Sequence, residues 1–328
     1  MRRYPSSVQA ICPDELAVKS ALEKFADVLM PQDAEEPILA PRPRAALFEW
    51  MTEIRLADEL AAAGLKPRRT ALLYGPPGCG KTTWAHHFAA RLGLPLACVR
   101  SESLIDKYLG ATGGNIGQLF DAMSKTEGKA VVFFDEVDAL GGRRMNDQGA
   151  SVERANSLNV LLRRIERFNG IALAATNRQD FLDPALWRRF EMQISIDLPG
   201  PDERFAIIRR YAAPFEPPDE DVDLLVQFTD GASPALLRAL MEGVKRALIV
   251  GPKSGRAIGD PVSAFVPVIA AVAPAPEYTP PPLWASSYAT VAREVRAPEY
   301  TPPPLWASPD AVRALAGITW PMPRGGTS

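Results

Sequence analysis

The stretch "GPPGCGKT", Gly75 to Thr82, decides the fold of this chain. It follows a short apolar run, "ALLY", and leads into a helical pattern from Lys81 to Leu92. Its spacing is G-x-x-x-x-G-K-[ST], in which the glycines let successive backbone N–H groups converge on phosphate oxygens. The start of the helix adds positive potential at the same point. The sequence therefore predicts a phosphate-binding loop between a strand and a helix.

This loop assigns the first candidate site residues. Lys81 is expected to reach the β- and γ-phosphates of a nucleotide such as ATP, and Thr82 is expected to ligate Mg²⁺. The predicted nucleotide-binding residues are Gly75, Pro76, Pro77, Gly78, Cys79, Gly80, Lys81, Thr82 and Thr83.

Strand-like and helical patterns alternate around the loop. Four further apolar runs read as strands, and helical patterns separate most of them: "LACVRS", "VVFFDE", "IALAATN" and "QISIDL". Such alternation is typical of a parallel sheet with helices on both faces. The predicted fold class is therefore α/β, with a five-stranded parallel sheet that carries the phosphate loop and has helices on both faces.

Polar residues follow two of these strands. Asp135 and Glu136 come after "VVFF", and ligands bind at the carboxyl ends of strands in open α/β sheets. Asp135 is therefore expected beside Thr82 at the metal, and Glu136 is expected to polarise the attacking water. Asn177, after "IALAAT", would orient that water or the γ-phosphate. Taken alone, the acids also fit a strand that ends at the surface, and Asn177 fits a turn residue.

The stretch "FLDPALWRRFE" carries two arginines behind a short helix. Asp183 is expected to cap the helix and Pro184 to start it. Arg188 and Arg189 then follow at its end. Arginine forks suit a γ-phosphate, although by themselves they also fit a basic pair on the surface.

Outside the sheet, the sequence pattern divides the chain into further segments. The N-terminal part is expected to form a short helix from Asp14 to Met30, and an amphipathic helix from Arg44 to Ala63 that Gly64 ends. After "LPGPDER", helical patterns predict a small all-helical lid domain, and Ser233 with Pro234 form a helix start. The predicted segments are an N-terminal extension at 1–42, a large α/β subdomain at 43–199, a helical lid at 200–250 and a proline-rich tail at 251–328.

The tail contains an internal duplication. The segment "APEYTPPPLWAS" occurs at 275–286 and again, without change, at 297–308. Two copies are too few for a solenoid, and the triple prolines favour polyproline II. The duplication fits either a recent copying event in a semi-ordered tail or a bivalent docking motif. In the second case Tyr278 with Trp284, and Tyr300 with Trp306, would be the anchors.

The composition excludes several classes of protein. The 328 residues carry 37 Lys and Arg against 39 Asp and Glu, so no global charge attracts nucleic acid or an anionic membrane. Three cysteines argue against a disulfide framework, and the adjacent His86 and His87 have poor spacing for zinc. Without a signal-peptide pattern or a long apolar run, we expect a cytoplasmic protein with no membrane partner.

Taken together, the motifs resemble the AAA family of phosphate-loop ATPases within the wider AAA+ group, over about Arg44 to Val250. The segments that carry the resemblance are "GPPGCGKT", "FFDEVDAL", "AATNRQDFLDPAL" and "WRRFEMQISIDLPGPDER". It implies that Lys81 and Thr82 belong to Walker A, Asp135 and Glu136 to Walker B, and Asn177 to sensor 1. The arginine segment of this chain reads "RRFE", and in this form it looks most like that of single-ring bacterial members and of the meiotic clade.

The resemblance also implies an assembly. In this family the arginines at Arg188 and Arg189 act on ATP bound to a neighbouring subunit, so a homo-oligomeric ring, typically a hexamer, is expected. Three features depart from the pattern or lack an explanation. Cys79 replaces a Thr or Ser, the sensor-2 position near Ala235 offers no arginine, and Gly117 lies inside a helical pattern.

Three functions compete at this stage. The first is an ATP-driven remodeler that unfolds or disassembles a protein, gripping it with a pore loop at Lys107, Tyr108 and Leu109, where "KYLG" matches the family's loop. The second is an ATP-dependent switch or scaffold that assembles with a partner without threading it. The third, a nucleic-acid ATPase, ranks last because no basic appended domain is visible.

Overall fold

A computed structural model of the chain describes residues 13–104, 111–126, 128–138, 159–254, 268–269, 271–274 and 279–285. The chain divides into two compact units. The first holds the sheet and most of the residues up to Ile196. The second begins at Asp197 and also takes in Ile38–Ala40 and Pro76–Gly80.

The first unit is built on a six-stranded sheet in the order β1-β3-β4-β5-β2-β6. All neighbouring pairs are parallel except β1 with β3, which is antiparallel. The strands are β1 (Ala26–Leu29), β2 (Thr70–Tyr74), β3 (Leu96–Val99), β4 (Val131–Phe134), β5 (Ile171–Thr176) and β6 (Met192–Ser195).

Helices connect the strands and form the second unit. In the first unit they are α1 (Pro13–Leu22), α2 (Pro41–Arg55), α3 (Ala57–Ala62), α4 (Lys81–Arg91), α5 (Ser101–Leu104), α6 (Ala111–Lys125), the helical residues 159–167 as α7, and α8 (Pro184–Trp187). In the second unit they are α9 (Pro201–Ala212), α10 (Asp219–Phe228), α11 (Pro234–Lys253) and α12 (Pro282–Ala285).

The sheet is buried on both faces, as expected for parallel strands. In β4, Val132 and Phe134 join one apolar cluster with α1, α6 and α7. Val131 and Phe133 are equally buried and alternate with them, so they lie on the opposite face. Large aromatic side chains of α2 and α4 are buried and stacked on one another, namely Trp50, Trp84 and Phe88. The predicted α/β class is thus confirmed.

Two local predictions were wrong. The helix expected from Asp14 to Met30 ends at Leu22, and the next residues form β1, a sixth strand. Pairing with β3, where Asp27 lies opposite Cys98, overrides the helical pattern because it covers an otherwise open sheet edge. The helix expected from Arg44 to Ala63 is two helices, α2 and α3, with Leu56 between them outside helical backbone geometry.

The second unit is a helical bundle with its own apolar cluster from α9, α10 and α11. Ser233 caps α11, since its hydroxyl accepts a hydrogen bond from the Leu236 N–H at 3.3 Å. Arg204 of α9 is 5% exposed, and its guanidinium donates to the carbonyl of Pro199 and forms an ion pair with Asp230 at 2.9 Å. These contacts tie the start of α9 to the end of α10.

No helix in the described parts of the chain is both long and apolar enough to cross a bilayer.

Candidate functional site

The phosphate loop has a backbone that requires glycine. Gly75 has a φ of +142°, and a Cβ at this position would lie 2.2 Å from the carbonyl oxygen of Ile196. Any side chain would therefore collide with backbone that cannot yield. The Nζ of Lys81 donates to the Gly75 carbonyl at 2.8 Å, and Lys81 is 6% exposed. The loop thus holds a cation against its own first residue.

The middle of the loop lies against the start of α11, within the second unit. The Ala235 N–H donates to the Gly78 carbonyl at 3.1 Å. Gly78 has a φ of +74°, and a Cβ there would lie 3.0 Å from both the Ala235 Cβ and the Ser233 hydroxyl. The residue near the predicted sensor-2 position is therefore in contact with the loop, but it supplies a backbone N–H and a methyl group instead of a cation.

Two oxygen-bearing side chains meet at the start of α4. The Thr82 hydroxyl donates to the Asp135 carboxylate at 2.9 Å, joining α4 to the end of β4. Hydroxyl and carboxylate oxygens are ligands that Mg²⁺ accepts. The described residues include no group of three or more His, Cys, Asp or Glu that could hold a metal by themselves. The pair therefore fits an ion that takes its other ligands from water and phosphate.

Glu136 has an unusual backbone. Its φ is +51°, and it is the one non-glycine residue with positive φ in the described chain. Such a conformation costs about 1–3 kcal/mol and persists where its surroundings impose it, often at functional sites. Here its N–H donates to Asp135 Oδ1 at 3.0 Å, and the following Val137 N–H donates to the Ala175 carbonyl at 2.9 Å. The turn after β4 is thus fixed on both sides of an exposed carboxylate.

Sequence reasoning missed two residues that support this turn. The Thr176 hydroxyl donates to Asp138 Oδ1 at 2.8 Å and accepts from the Arg178 N–H at 3.0 Å. Thr176 is 1% exposed, so its hydroxyl depends on these partners. The available signal was a threonine at the end of an otherwise apolar strand. This network joins the ends of β4 and β5, and Asn177 lies directly after Thr176, half-buried at the same edge.

Arg188 and Arg189 lie elsewhere. Both are exposed, and Asp183 caps the preceding α8 as predicted, since its carboxylate accepts from the Ala185 N–H at 2.7 Å. The Arg189 carbonyl lies 3.5 Å from the hydroxyl of Thr70, which begins β2. The phosphate loop follows the other end of β2, about 13 Å along the strand. The Arg189 backbone is therefore at the amino end of β2, although the ring of the neighbouring Trp187 packs on Tyr74 at the other end.

Arg189 has a partner at this end of the sheet. Its guanidinium forms an ion pair with Glu166 of α7 at 2.6 Å, and the two side chains are 44% and 45% exposed. In the structure of one chain, this arginine therefore neutralises a carboxylate of the same chain.

The predicted pore-loop residues Lys107, Tyr108 and Leu109 lie outside the described residues. The helices on either side are described. The Asn115 amide of α6 donates to the Leu104 carbonyl at the end of α5 at 3.3 Å. The segment that carries the "KYLG" motif therefore starts and ends on elements that are joined to each other.

Two cysteines lie near the predicted site. Cys79 is 6% exposed, and its sulfur lies 4.0 Å from the Pro77 carbonyl, so a reagent has little access to it. Cys98 of β3 is half-buried. Burial, with the carboxylates of Asp135 and Asp27, raises the pKa of the Cys98 thiol to about 12. Cys98 therefore stays protonated at neutral pH and is a poor nucleophile.

Comparison with known proteins agrees with this geometry. Residues 71–198 match the model of the family described as "ATPase family associated with various cellular activities (AAA)". An uncharacterized AAA family ATPase, y4kL of Sinorhizobium fredii, is 38% identical over 201 residues, which is 60% of each chain. A proteasome-activating nucleotidase of Thermococcus gammatolerans is 32% identical over 253 residues, 72% of this chain and 64% of that relative.

A third relative, the ATP-dependent zinc metalloprotease FtsH of Acidothermus cellulolyticus, is 35% identical over 222 residues, 65% of this chain and 33% of FtsH. The chain thus spans less than two thirds of the length of these relatives. The matching segment contains the phosphate loop, the strained turn after β4 and the two arginines that follow α8. Residues 71–198 therefore form an ATPase domain of the AAA family.

Proposed function

We propose that this chain hydrolyses ATP within a homo-oligomeric ring, most simply a hexamer, and uses the energy to remodel, unfold or disassemble a protein substrate. The observation that carries the proposal is the pairing of Thr82 with Asp135 beside the strained turn at Glu136. It joins a phosphate loop, a metal-ligand pair and an exposed carboxylate at one edge of the sheet. Hydrolysis of a nucleoside triphosphate needs these three parts.

Each residue has a chemical task in this proposal. Lys81 leaves the Gly75 carbonyl for the β- and γ-phosphates, and the backbone N–H groups of Gly75–Thr83 surround the phosphate oxygens. Thr82 and Asp135 would hold Mg²⁺, which neutralises charge that develops on those oxygens. Glu136 accepts a hydrogen bond from the attacking water and holds its proton.

The remaining residues at this edge position the reactants. Asn177 orients the water or the γ-phosphate through its side-chain amide. The hydrogen bond between Thr176 and Asp138 joins the turns after β4 and β5. It therefore holds Glu136 and Asn177 at a fixed distance from each other. Errors of about 1 Å in such positions can lower rates about 100-fold.

Arg188 and Arg189 would act on ATP bound to a neighbouring subunit. Their exposure and the position of the Arg189 backbone at the amino end of β2 support this role, because a neighbouring subunit could meet both side chains there. An arginine that completes a site in trans makes hydrolysis depend on assembly.

The relatives support the choice of a protein as substrate. One group is named for activating the proteasome, and another is named as an ATP-dependent protease. This sequence has only the adjacent His86 and His87, so it lacks the H-E-x-x-H zinc motif of metalloproteases. The residues of this sequence would therefore supply the ATP-driven step of such a process.

The test uses Glu136→Gln. This variant should hydrolyse ATP about 10²–10⁴-fold more slowly while binding it as tightly as the wild type, because only the proton acceptor changes. It should also accumulate as a ring in ATP, measured by light scattering after size exclusion. Hydrolysis at the wild-type rate would show that Glu136 is not the base.

A second variant separates remodeling from the alternative, an ATP-dependent switch that does not thread its partner. The protein that co-purifies with the Glu136→Gln form in ATP serves as substrate. Tyr108→Ala should leave ATP hydrolysis within about twofold but abolish unfolding of that protein, because a gripping aromatic has been removed. Undiminished remodeling by Tyr108→Ala would favour the switch.

A further inference from the structure

Two residues of the first copy of the duplicated segment belong to the core of the second unit. Leu283 and Trp284 of α12 are 2% and 4% exposed, and both belong to the apolar cluster built from α9, α10 and α11. The Trp284 indole N–H donates to the Val272 carbonyl at 2.7 Å, so its polar group is also satisfied. We call the part of this cluster that encloses Leu283 and Trp284 the tail site.

A glycine of α11 allows the tail to pack closely against the helical bundle. Val268 is 6% exposed in the same cluster, and a Cβ at Gly243 of α11 would lie 2.4 Å from its Cγ1. A glycine inside a helix is unfavourable, so its presence here has a packing reason: it lets Val268 approach the helix backbone. Val268, which precedes the first copy, is therefore packed against the bundle as closely as the core side chains of the helices are.

The buried Trp284 bears on the docking hypothesis. An anchor for another protein must be accessible, whereas Trp284 is enclosed by its own chain. The chain nevertheless contains the same twelve residues again at 297–308, which lie outside the described residues. That copy presents Leu305 and Trp306 in the same order and spacing as Leu283 and Trp284.

We propose that the tail site can bind either copy of the segment. In the structure the first copy fills it, and the second copy of the same chain can take its place. The chemistry is identical for the two, because each offers a leucine and a tryptophan behind three prolines. The acceptor for the indole N–H is also independent of the copy, since Val272 precedes both of them and is not duplicated.

Loop length sets the balance between the occupants. Val268 and Ile269 anchor the tail to the cluster. From Ile269, the chain to Leu305 is roughly two and a half times as long as the chain to Leu283, which lowers its probability of loop closure roughly fourfold. The first copy is therefore favoured, and the second takes over when the first leaves. Exchange would release Trp284 for another contact while the bundle stays closed.

The test labels the tryptophans with 5-fluorotryptophan and records ¹⁹F spectra of the full chain. The resonance that disappears in Trp306→Ala identifies Trp306 in the wild type, and Trp284→Ala leaves Trp306 as the remaining tryptophan of the pair. In the wild type, Trp284 should have the shifted resonance of a buried indole and Trp306 that of an exposed one. In Trp284→Ala, the Trp306 resonance should move to the buried position, and dilution over a tenfold range should not change it.

Two outcomes would overturn the proposal. A Trp306 resonance that stays at its exposed position in Trp284→Ala would show that the second copy does not fit the site. A shift that fades on dilution, with a larger particle in light scattering, would place the exchange between chains. Both measurements use single variants, so they do not require a chain that has lost both tryptophans to fold.

A binding experiment checks the recognition separately. A labelled peptide, APEYTPPPLWAS, should bind the Trp284→Ala, Trp306→Ala double variant at least about tenfold more tightly than the wild type, whose site is filled. The matched peptide with alanine for tryptophan should bind neither. Equal binding of the first peptide to Trp284→Ala and to the double variant would contradict occupancy by the second copy.

Discussion

The two edges of the sheet both carry predicted site residues, but the chain holds them in different ways. At the carboxyl-end edge, hydrogen bonds join Thr82 to Asp135 and Thr176 to Asp138. These bonds connect α4, β4 and β5, and Thr176 is buried. At the amino-end edge, Arg189 is exposed and pairs with an equally exposed Glu166.

This difference fits the proposed division between groups that act within one chain and groups that act on a neighbouring subunit. The carboxyl-end network is cross-linked through buried groups, so its geometry is set before any partner arrives. An ion pair that is almost half exposed contributes only about 0–1 kcal/mol, so Arg189 can exchange Glu166 for another anion at little cost. The first edge therefore has a fixed geometry, and the second fits the proposed role of Arg189 toward a neighbouring subunit.

The largest expected effect would test the second half of this comparison. Arg189→Ala should lower ATP hydrolysis about 10³-fold, the low end of what an arginine acting in trans contributes. The free energy of unfolding should fall by no more than about 1 kcal/mol, because the lost ion pair is exposed. Steady-state hydrolysis and thermal unfolding of the same preparation measure the two quantities.

Glu166→Gln is the matched control for Arg189→Ala. It removes the same ion pair but keeps the arginine, so hydrolysis should stay within about twofold of the wild type. Mixed rings of Arg189→Ala and Lys81→Ala chains should regain part of the activity, because one chain supplies the site and the other the arginine. If mixing restores nothing, Arg189 is a surface charge and the comparison fails.

A smaller effect would test the carboxyl-end edge. Thr176→Val keeps the shape of the side chain but leaves Asp138 and the Arg178 N–H without their shared hydroxyl. We expect a loss of about 1.5–3 kcal/mol in the free energy of unfolding, the usual net contribution of a hydrogen bond to a charged group, here the Asp138 carboxylate. The rate of hydrolysis at saturating ATP should fall about tenfold, since Glu136 and Asn177 lose their common support.

Thr176→Ser keeps the hydroxyl and is the control for Thr176→Val. It should retain the hydrolysis rate within about threefold, although it loses a buried methyl group. Equal rates in the two variants would mean that the hydroxyl does not position the site, and that the network at this edge is purely structural.

The sequence predicted the carboxyl-end edge because its signals are local. A phosphate loop and two polar strand ends each occupy a few consecutive residues, and parallel strands bring such ends together. The bond between Thr176 and Asp138 is different, since it joins the ends of two strands that are distant in the chain. Nothing in either stretch says which hydroxyl meets which carboxylate.

Other features depended on tertiary contacts in the same way. The strand β1 was predicted as the end of a helix because its pairing partner, β3, lies far along the chain. The packing of Trp284 into the second unit was missed because a proline-rich repeat resembles an extended tail. The three prolines of the repeat do favour a polyproline helix. The adjacent leucine and tryptophan, however, give the repeat enough apolar surface to pack against a core.

The smallest expected effect concerns a glycine that the sequence left unexplained and that bears on the amino-end edge. A Cβ at Gly117 of α6 would lie 3.3 Å from the guanidinium of Arg164, which pairs with Asp121 at 2.6 Å. Arg164 lies on α7, the helix that also presents Glu166 to Arg189. Gly117 therefore lets a long side chain pass from α7 across α6.

Gly117→Ala should change the free energy of unfolding by less than about 1 kcal/mol. Alanine gains about 0.5–1 kcal/mol over glycine inside a helix. Loss of an exposed ion pair offsets this by up to about 1 kcal/mol, since the tip of Arg164 can move aside. Gly243→Ala is the contrasting variant, because its Cβ would meet the branched stem of Val268 and force the packed tail to shift. Urea unfolding compares the two variants. If Gly117→Ala lowers the free energy of unfolding more than Gly243→Ala does, the position of α7 depends on the contact between Arg164 and α6. The exposed ion pair of Glu166 and Arg189 would then depend on that contact as well.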